Sequence, residues 1–197
     1  MEKSSKNISF ERTKNPWGMD LEFPRALLSP EDHEVLKQYS TGKALCVEIG
    51  TFRGGSAFIM GLFAKKVVSI DNYAYSESIG YLPAEPKKRF ELARKAVSSL
   101  PNVELRMGDS EGEANSFPDE SIDMLFVDDG HGTADVLRDF GAWYSKLKPQ
   151  ATIVFHDYIC DNETTQADVQ RAIELILKSG KMARREVRGC CFVGEKR

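Results

Sequence analysis

The chain has 197 residues, of which 41% are hydrophobic and 29% charged, and a formal net charge of −3. That length and apolar content suffice for one sizeable core, and the mild acidity gives no support for a nucleic-acid-binding surface. Four cysteines without metal or redox spacing, no apolar run of membrane-spanning length and a polar start without a signal core lead to the expectation of a reduced, cytoplasmic protein.

Residues 1–15 read as a loose polar arm, followed by an aromatic, turn-rich stretch from Asn15 to Pro24. Trp17 and Phe23 there either pack on a sheet edge or cap a ligand cleft; packing is the favoured reading. Ser29-Pro30-Glu31-Asp32 is a helix start, with Ser29 as N-cap and Pro30 in the first turn, and Gly42 closes a helix that runs to about Tyr39. Residues 1–43 are thus expected to form an arm and capping helix ahead of a domain at 44–197.

Ala44–Ser56, ALCVEIGTFRGGS, is the stretch on which the rest depends. Its apolar run has the pattern of a strand buried on both faces, and the glycines Gly50, Gly54 and Gly55 lead into an apolar helix from Ser56 to Phe63. A strand, glycine turn and helix bring backbone N–H groups and the positive end of a helix to a ligand. A second apolar run, Val67–Ile70, ends in Asp71, an acid placed to bond a ribose diol or simply to cap a turn. The dinucleotide fingerprint is absent, because Phe52 stands where its second glycine belongs.

The connection Asn72–Glu85 carries Tyr73, Tyr75 and Tyr81 and is long enough to serve as a lid, with a plain surface loop as the alternative. A helix over about Pro86–Leu100 follows, with Phe90, Ala93, Val97 and Leu100 on one face. Strand Val103–Met107 ends in Gly108-Asp109-Ser110, and strand Ile122–Val127 ends in Asp128-Asp129-Gly130-His131. A helix from Thr133 with Val136, Phe140, Trp143 and Leu147 inward stops at Lys148-Pro149. Strand Ala151–Phe155 ends in His156-Asp157-Tyr158, helix Thr165–Ser179 follows, and stretches near Met182–Val187 and Cys190–Gly194 form a hairpin about Arg188-Gly189. The fold expected from this order is α/β: a doubly wound, mostly parallel seven-stranded sheet, Rossmann-like, with a C-terminal antiparallel hairpin.

Glu48, Asp71, Asp109, Asp128, Asp129, His131, His156 and Asp157 all fall at or just past C-terminal strand ends, the edge where open α/β sheets bind ligands. In order, VEIGTFRGGS, GDS, FVDDGH and LKPQATIVFHDY resemble the class I S-adenosylmethionine methyltransferases of the methyltransferase domain 24 type, related to the catechol, caffeoyl-CoA and macrolide-sugar O-methyltransferases and to cephalosporin-hydroxylase-like proteins. The resemblance covers about Ala44 to Leu177. It implies that Glu48 and Gly50 support the methionine moiety of S-adenosylmethionine, that Asp71 takes the ribose and that Asp109 and Ser110 border the adenine. Thr51, Ser56 and Asp128 are counted with them as cofactor-binding. It further implies a divalent metal at Asp128, His156 and Asp157, and a general-base histidine at His131. His156-Asp157 departs from the Asp-Asn or Glu-Asp pairs of relatives; the expected ion is Mg²⁺, with Mn²⁺ or Zn²⁺ suited to the softer imidazole.

The reaction so implied is metal-assisted O-methylation of a small acceptor with vicinal hydroxyls: the metal lowers the hydroxyl pKa and the histidine removes the proton. A metal-dependent hydrolase or hydroxylase-like enzyme on the same edge is the alternative, and a non-catalytic cofactor-binding protein is a third. No nucleic-acid or membrane partner is expected, and a homo-oligomer is left open.

Overall fold

The computed structural model describes residues 27–74 and 85–197. The polar arm, Trp17, Phe23 and the tyrosines Tyr75 and Tyr81 of the long connection lie outside the described residues.

Helix α1 (Pro30–Ser40) begins where the sequence signals it. The Ser29 hydroxyl accepts from the Asp32 N–H at 3.2 Å, and the Asp32 carboxylate accepts from the Ser29 N–H at 2.8 Å, a reciprocal capping box. Strand β1 (Cys46–Ile49) leads through the glycine turn into α2 (Gly55–Phe63), then β2 (Val67–Asp71), α3 (Pro86–Ala96) and β3 (Val103–Met107). A five-residue helix α4 (Ser110–Ala114), absent from the sequence reading, is capped by Asp109, whose carboxylate accepts from the Gly112 N–H at 2.8 Å. Then come β4 (Ile122–Val127), α5 (Thr133–Trp143), β5 (Leu147–Phe155), α6 (Glu163–Lys178), β6 (Met182–Arg188) and β7 (Cys191–Lys196).

The strands form one sheet in the order β3-β2-β1-β4-β5-β7-β6, with β7 antiparallel to both β5 and β6. The expected doubly wound sheet with its closing hairpin is therefore present. Leu147 departs from the expectation: it starts β5, paired with Ile122, instead of ending a helix. The pairing slips between Ile122 and Met124, which accommodates Pro149 and the left-handed Gln150 (φ 63°) inside the strand.

Alternation along the strands divides the core in two. Val47, Ile49, Ile153 and Phe155 face Val136, Phe140 and Trp143 of α5 and Ile173 of α6. Cys46, Phe126 and Val154 face Val35 and Leu36 of α1 and Phe58 and Ile59 of α2. Ligand-bearing side chains at strand ends inherit this alternation.

Among the described residues, no helix is long and apolar enough to cross a membrane.

Candidate active site

The sheet order reverses beside β1: its crossover through α2 leads to β2 on one side, while β4 lies on the other. Gly50 ends β1 at this point with φ 92°. A β-carbon there would overlap the Asp128 carbonyl, so glycine is required both by the dihedral and by the approach of the two backbones. Gly54, at φ 81°, is the N-cap of α2 and offers no side-chain cap, which leaves the first N–H groups of that helix to other partners.

Glu48 points away from Val47 and Ile49, into the α1–α2 layer, and is fully buried. One carboxyl oxygen accepts from the Ser69 hydroxyl, which also pairs with the Thr51 hydroxyl at 2.5 Å. The other oxygen, Oε1, has no hydrogen-bond partner among the described residues. Burial pushes its pKa up to about 8 against the pull of neighbouring serine hydroxyls, so the group is a neutral acid at neutral pH. Ser56 is buried in the first turn of α2.

Asp71 is almost wholly buried, and its two oxygens accept from the N–H groups of Phe52 at 2.8 Å and Tyr73 at 2.6 Å. Both of those residues are left-handed, at φ 49° and 56°. One carboxylate therefore holds together the glycine turn and the start of the next loop. Arg89, buried on α3, reinforces the same loop by donating to the Tyr73 carbonyl at 2.8 Å. No sequence pattern distinguishes Arg89 from the exposed basic residues around it.

A cavity of about 380 Å³ opens past the ends of β2, β3 and β4. Asn72, Asp109, Ser110, Asp129 and Asp139 are among its walls. The Ser110 hydroxyl accepts from the Trp143 indole N–H at 2.9 Å, tying this wall to α5. Burial, with Asp71 and Asp139 nearby, pushes Asp129 up to about 6. Of the residues expected at the cofactor, Asp109 and Ser110 line the cavity; Gly50 and Thr51 lie in the glycine turn, Glu48 on β1, Ser56 on α2 and Asp71 at the end of β2, none of them among its walls.

On the other side of the β1–β4 junction lie the acid–histidine residues. His131 Nε2 is 2.7 Å from Asp157 and 3.9 Å from Asp128. One ligand atom from each of Asp128, His131 and Asp157 falls within 4.8 Å of the others, a group that can hold a metal ion. His156 Nδ1 is 3.2 Å from Asp128 and 3.3 Å from Asp157, but the residue is 7% exposed while His131 is 42% exposed. The expectation placed His156 with the two acids and His131 apart as base. In the structure His131 completes the open trio and His156 lies deeper. Strand alternation turns His156 inward, beside Phe126, and the left-handed Asp157 (φ 54°) breaks that alternation so its carboxylate reaches the same place.

Donation to the Asp128 and Asp157 carboxylates stabilises the charged imidazole and pushes the His131 pKa up to about 10. For His156, burial opposes the charge, yet Asp128, Asp157 and Asp32 hold its pKa well above the usual histidine range. Burial likewise opposes ionisation of Asp157, and the two histidines outweigh it and hold the carboxyl well below its usual range.

Residues 47–158, more than half of the chain, match the family model described as a methyltransferase domain. The chain belongs to that family. A curated relative of this methyltransferase domain, the uncharacterized protein y4gI of Sinorhizobium fredii, is 30% identical over 117 residues, which is 56% of this chain and 13% of that protein. The match thus spans a small part of that relative's length. Among solved structures, cofactor-bound Rv0187 from MTB superposes with a TM-score of 0.68 at 16% identity, covering 89% of this chain and 84% of the other. The O-methyltransferase from Bacillus cereus in complex with SAH gives 0.64 at 18% identity, with coverage of 89% and 84%. These likenesses establish the fold. With the family match they make the chain a methyltransferase-domain protein of the Rossmann-like methyltransferase fold.

Proposed function

We propose that this methyltransferase methylates an oxygen of a small hydroxylated acceptor, with a divalent cation held by Asp128 and Asp157 and with His131 as general base. The observation that carries the reading is the convergence of Asp128, His131 and Asp157 within 4.8 Å at the strand edge. Two converging carboxylates are hard oxygen donors of the kind Mg²⁺ or Mn²⁺ takes, so these residues fit the ion, and the imidazole beside them is left for the proton.

When bound, the ion would lower the pKa of an acceptor hydroxyl and orient it. The chain's own residues supply the remainder. The Gly50 turn and the α2 N-terminus would receive the cofactor's methionine end, with Glu48 and Thr51 behind them, and the cavity bordered by Asp109 and Ser110 would receive its adenosine end. Asp71, at the end of β2 beside the turn, is the acid that would take the ribose diol. His131 is the exposed histidine and so the one that can reach an acceptor oxygen. Asp128 and Asp157 hold its proton while they have no other cation. Engaging those carboxylates frees its Nε2 to accept one, which is the state a base requires.

Asp128→Ala is the decisive variant. Metal-stimulated turnover of a catechol-type test acceptor should vanish while S-adenosylhomocysteine binding, measured by calorimetry, persists. Undiminished wild-type turnover in excess EDTA would remove the metal from the reading and leave His131 acting alone.

A further inference from the structure

Asp32 is the third residue of α1, outside the stretch that matches the methyltransferase family, and it is fully buried. A capping-box acid has its task at the surface end of a helix and does not need such burial. This one has further partners. Its Oδ1 accepts from the Cys190 N–H at 2.8 Å and lies 3.4 Å from the Cys191 thiol, in the turn between β6 and β7. Its Oδ2 lies 3.5 Å from His156 Nε2, an ion-pair distance without hydrogen-bond geometry. Gly189, at φ 58°, completes the enclosure, since a β-carbon there would run into the Asp32 carboxylate.

His156 therefore has a carboxylate within ion-pair distance of each nitrogen: Nε2 faces Asp32, and Nδ1 faces Asp128 and Asp157. A metal-ligating histidine is commonly fixed by a carboxylate on its far nitrogen, and removing that partner weakens the metal on the order of 10–100-fold; His156 would stand one step further out, against the two carboxylates that hold the ion.

We propose that Asp32 is a positioning residue for the acceptor edge: from α1 its carboxylate fixes the His156 ring, and His156 in turn sets the spacing of Asp128 and Asp157. The inference rests on the reading of those two acids as a cation-holding pair. It extends the site beyond the strand ends to α1 and to the β6–β7 turn.

The test must separate bracing of His156 from capping of α1. Asp32→Glu keeps the charge and supplies the usual capping-box residue but moves the carboxylate by one methylene. Asp32→Asn removes the charge at nearly constant shape. Ser29→Ala removes half of the cap and leaves Asp32 in place. Mn²⁺ binding to the full chain is followed by the paramagnetic resonance signal of free Mn²⁺. The His156 ring is followed by its imidazole ¹⁵N resonances, and folding by circular dichroism.

Asp32→Asn and Asp32→Glu should each weaken Mn²⁺ roughly 10-fold or more and move the His156 resonances. Ser29→Ala should lower the melting temperature and change neither of the other readouts. Folded Asp32 variants with wild-type Mn²⁺ affinity and unmoved His156 resonances would overturn the proposal. So would a thiolate-to-cobalt charge-transfer band on adding Co²⁺ to the wild type, which would make Asp32, His156 and Cys190 ligands of an ion instead of a brace. If wild type and Asp128→Ala fail equally to bind Mn²⁺, the metal reading falls by itself. The His156 resonances then still decide the role of Asp32: movement in both Asp32 variants but not in Ser29→Ala supports it, and no movement refutes it.

Discussion

Glu48→Gln isolates one buried charge in a pH-dependent equilibrium. The carboxyl is fully buried, with one oxygen on Ser69 and the other unpartnered among the described residues, and burial raises its pKa from 4.5 to about 8. Between those values the folded chain keeps a proton that the unfolded chain has released. Stability from this group is therefore full below pH 4.5, falls as pH rises through the interval and is level above about pH 8. Each pH unit across the interval is worth about 1.4 kcal/mol, so the loss approaches roughly 5 kcal/mol as an upper bound. Glutamine has the same shape and no ionisation. Urea unfolding of cofactor-free wild type and Glu48→Gln at a series of pH values should give a difference that is small near pH 5 and grows in favour of the variant toward pH 9. The subtraction cancels the groups that are not coupled to Glu48, which titrate alike in both proteins, and omitting the cofactor avoids a ligand that itself binds the folded state. Parallel curves for the two proteins would refute the assignment of a neutral buried Glu48.

Two other substitutions probe the junction. Gly50→Ala must place a β-carbon into the Asp128 backbone at φ 92°, so positive-φ strain of about 1–2 kcal/mol and overpacking of about 1–3 kcal/mol should add, read as a lower urea midpoint; an unchanged midpoint would show that the two strands are not in contact. His131→Ala should preserve S-adenosylhomocysteine affinity and lower kcat by roughly two to four orders of magnitude, and a kcat within threefold of wild type would exclude it as base.

The fold was legible because the central strands β1, β2, β4 and β5 are apolar runs closed by a glycine, an acid or a histidine, a pattern that depends on nearest neighbours only. The edge residues followed, since they are what ends those runs. Elements whose definition needs a distant partner were not legible. β5 begins at Leu147 because Ile122 is there to pair with it, whereas Lys148-Pro149 read locally as a helix stop. Helix α4 is too short to show a period and is fixed by the Asp109 cap. Asp32 was visible as part of a helix start, but its burial against His156 and Cys190 depends on a turn near the other end of the chain. The placement of His131 beside the open acids and of His156 deeper turned on one dihedral, the left-handed Asp157, which no residue type announces.

Gly50 and Asp128 also bear on how a methyl donor and an acceptor would meet. The Gly50 N–H donates to Ile70 at 2.9 Å and the Asp128 N–H donates to Ile49 at 2.8 Å, so both residues are still held by the sheet where their side-chain chemistry begins. Their main chains touch because Gly50 has no β-carbon to separate them. In the proposed reaction the cofactor's methionine end sits on the first of these residues and the cation on the second. Their separation would then be fixed by paired backbone and would not depend on mobile side chains. In-line methyl transfer gains most from such fixed approach, because its rate depends steeply on the distance and angle between oxygen and methyl carbon. In that reaction Asp71 and Asp32 would serve the same end from opposite sides, one stapling the glycine turn through two backbone N–H groups, the other backing the ring that faces Asp128 and Asp157. A sheet edge of this kind can accept a changed acceptor by altering the loops above it while the donor-to-acceptor geometry stays where the strands put it.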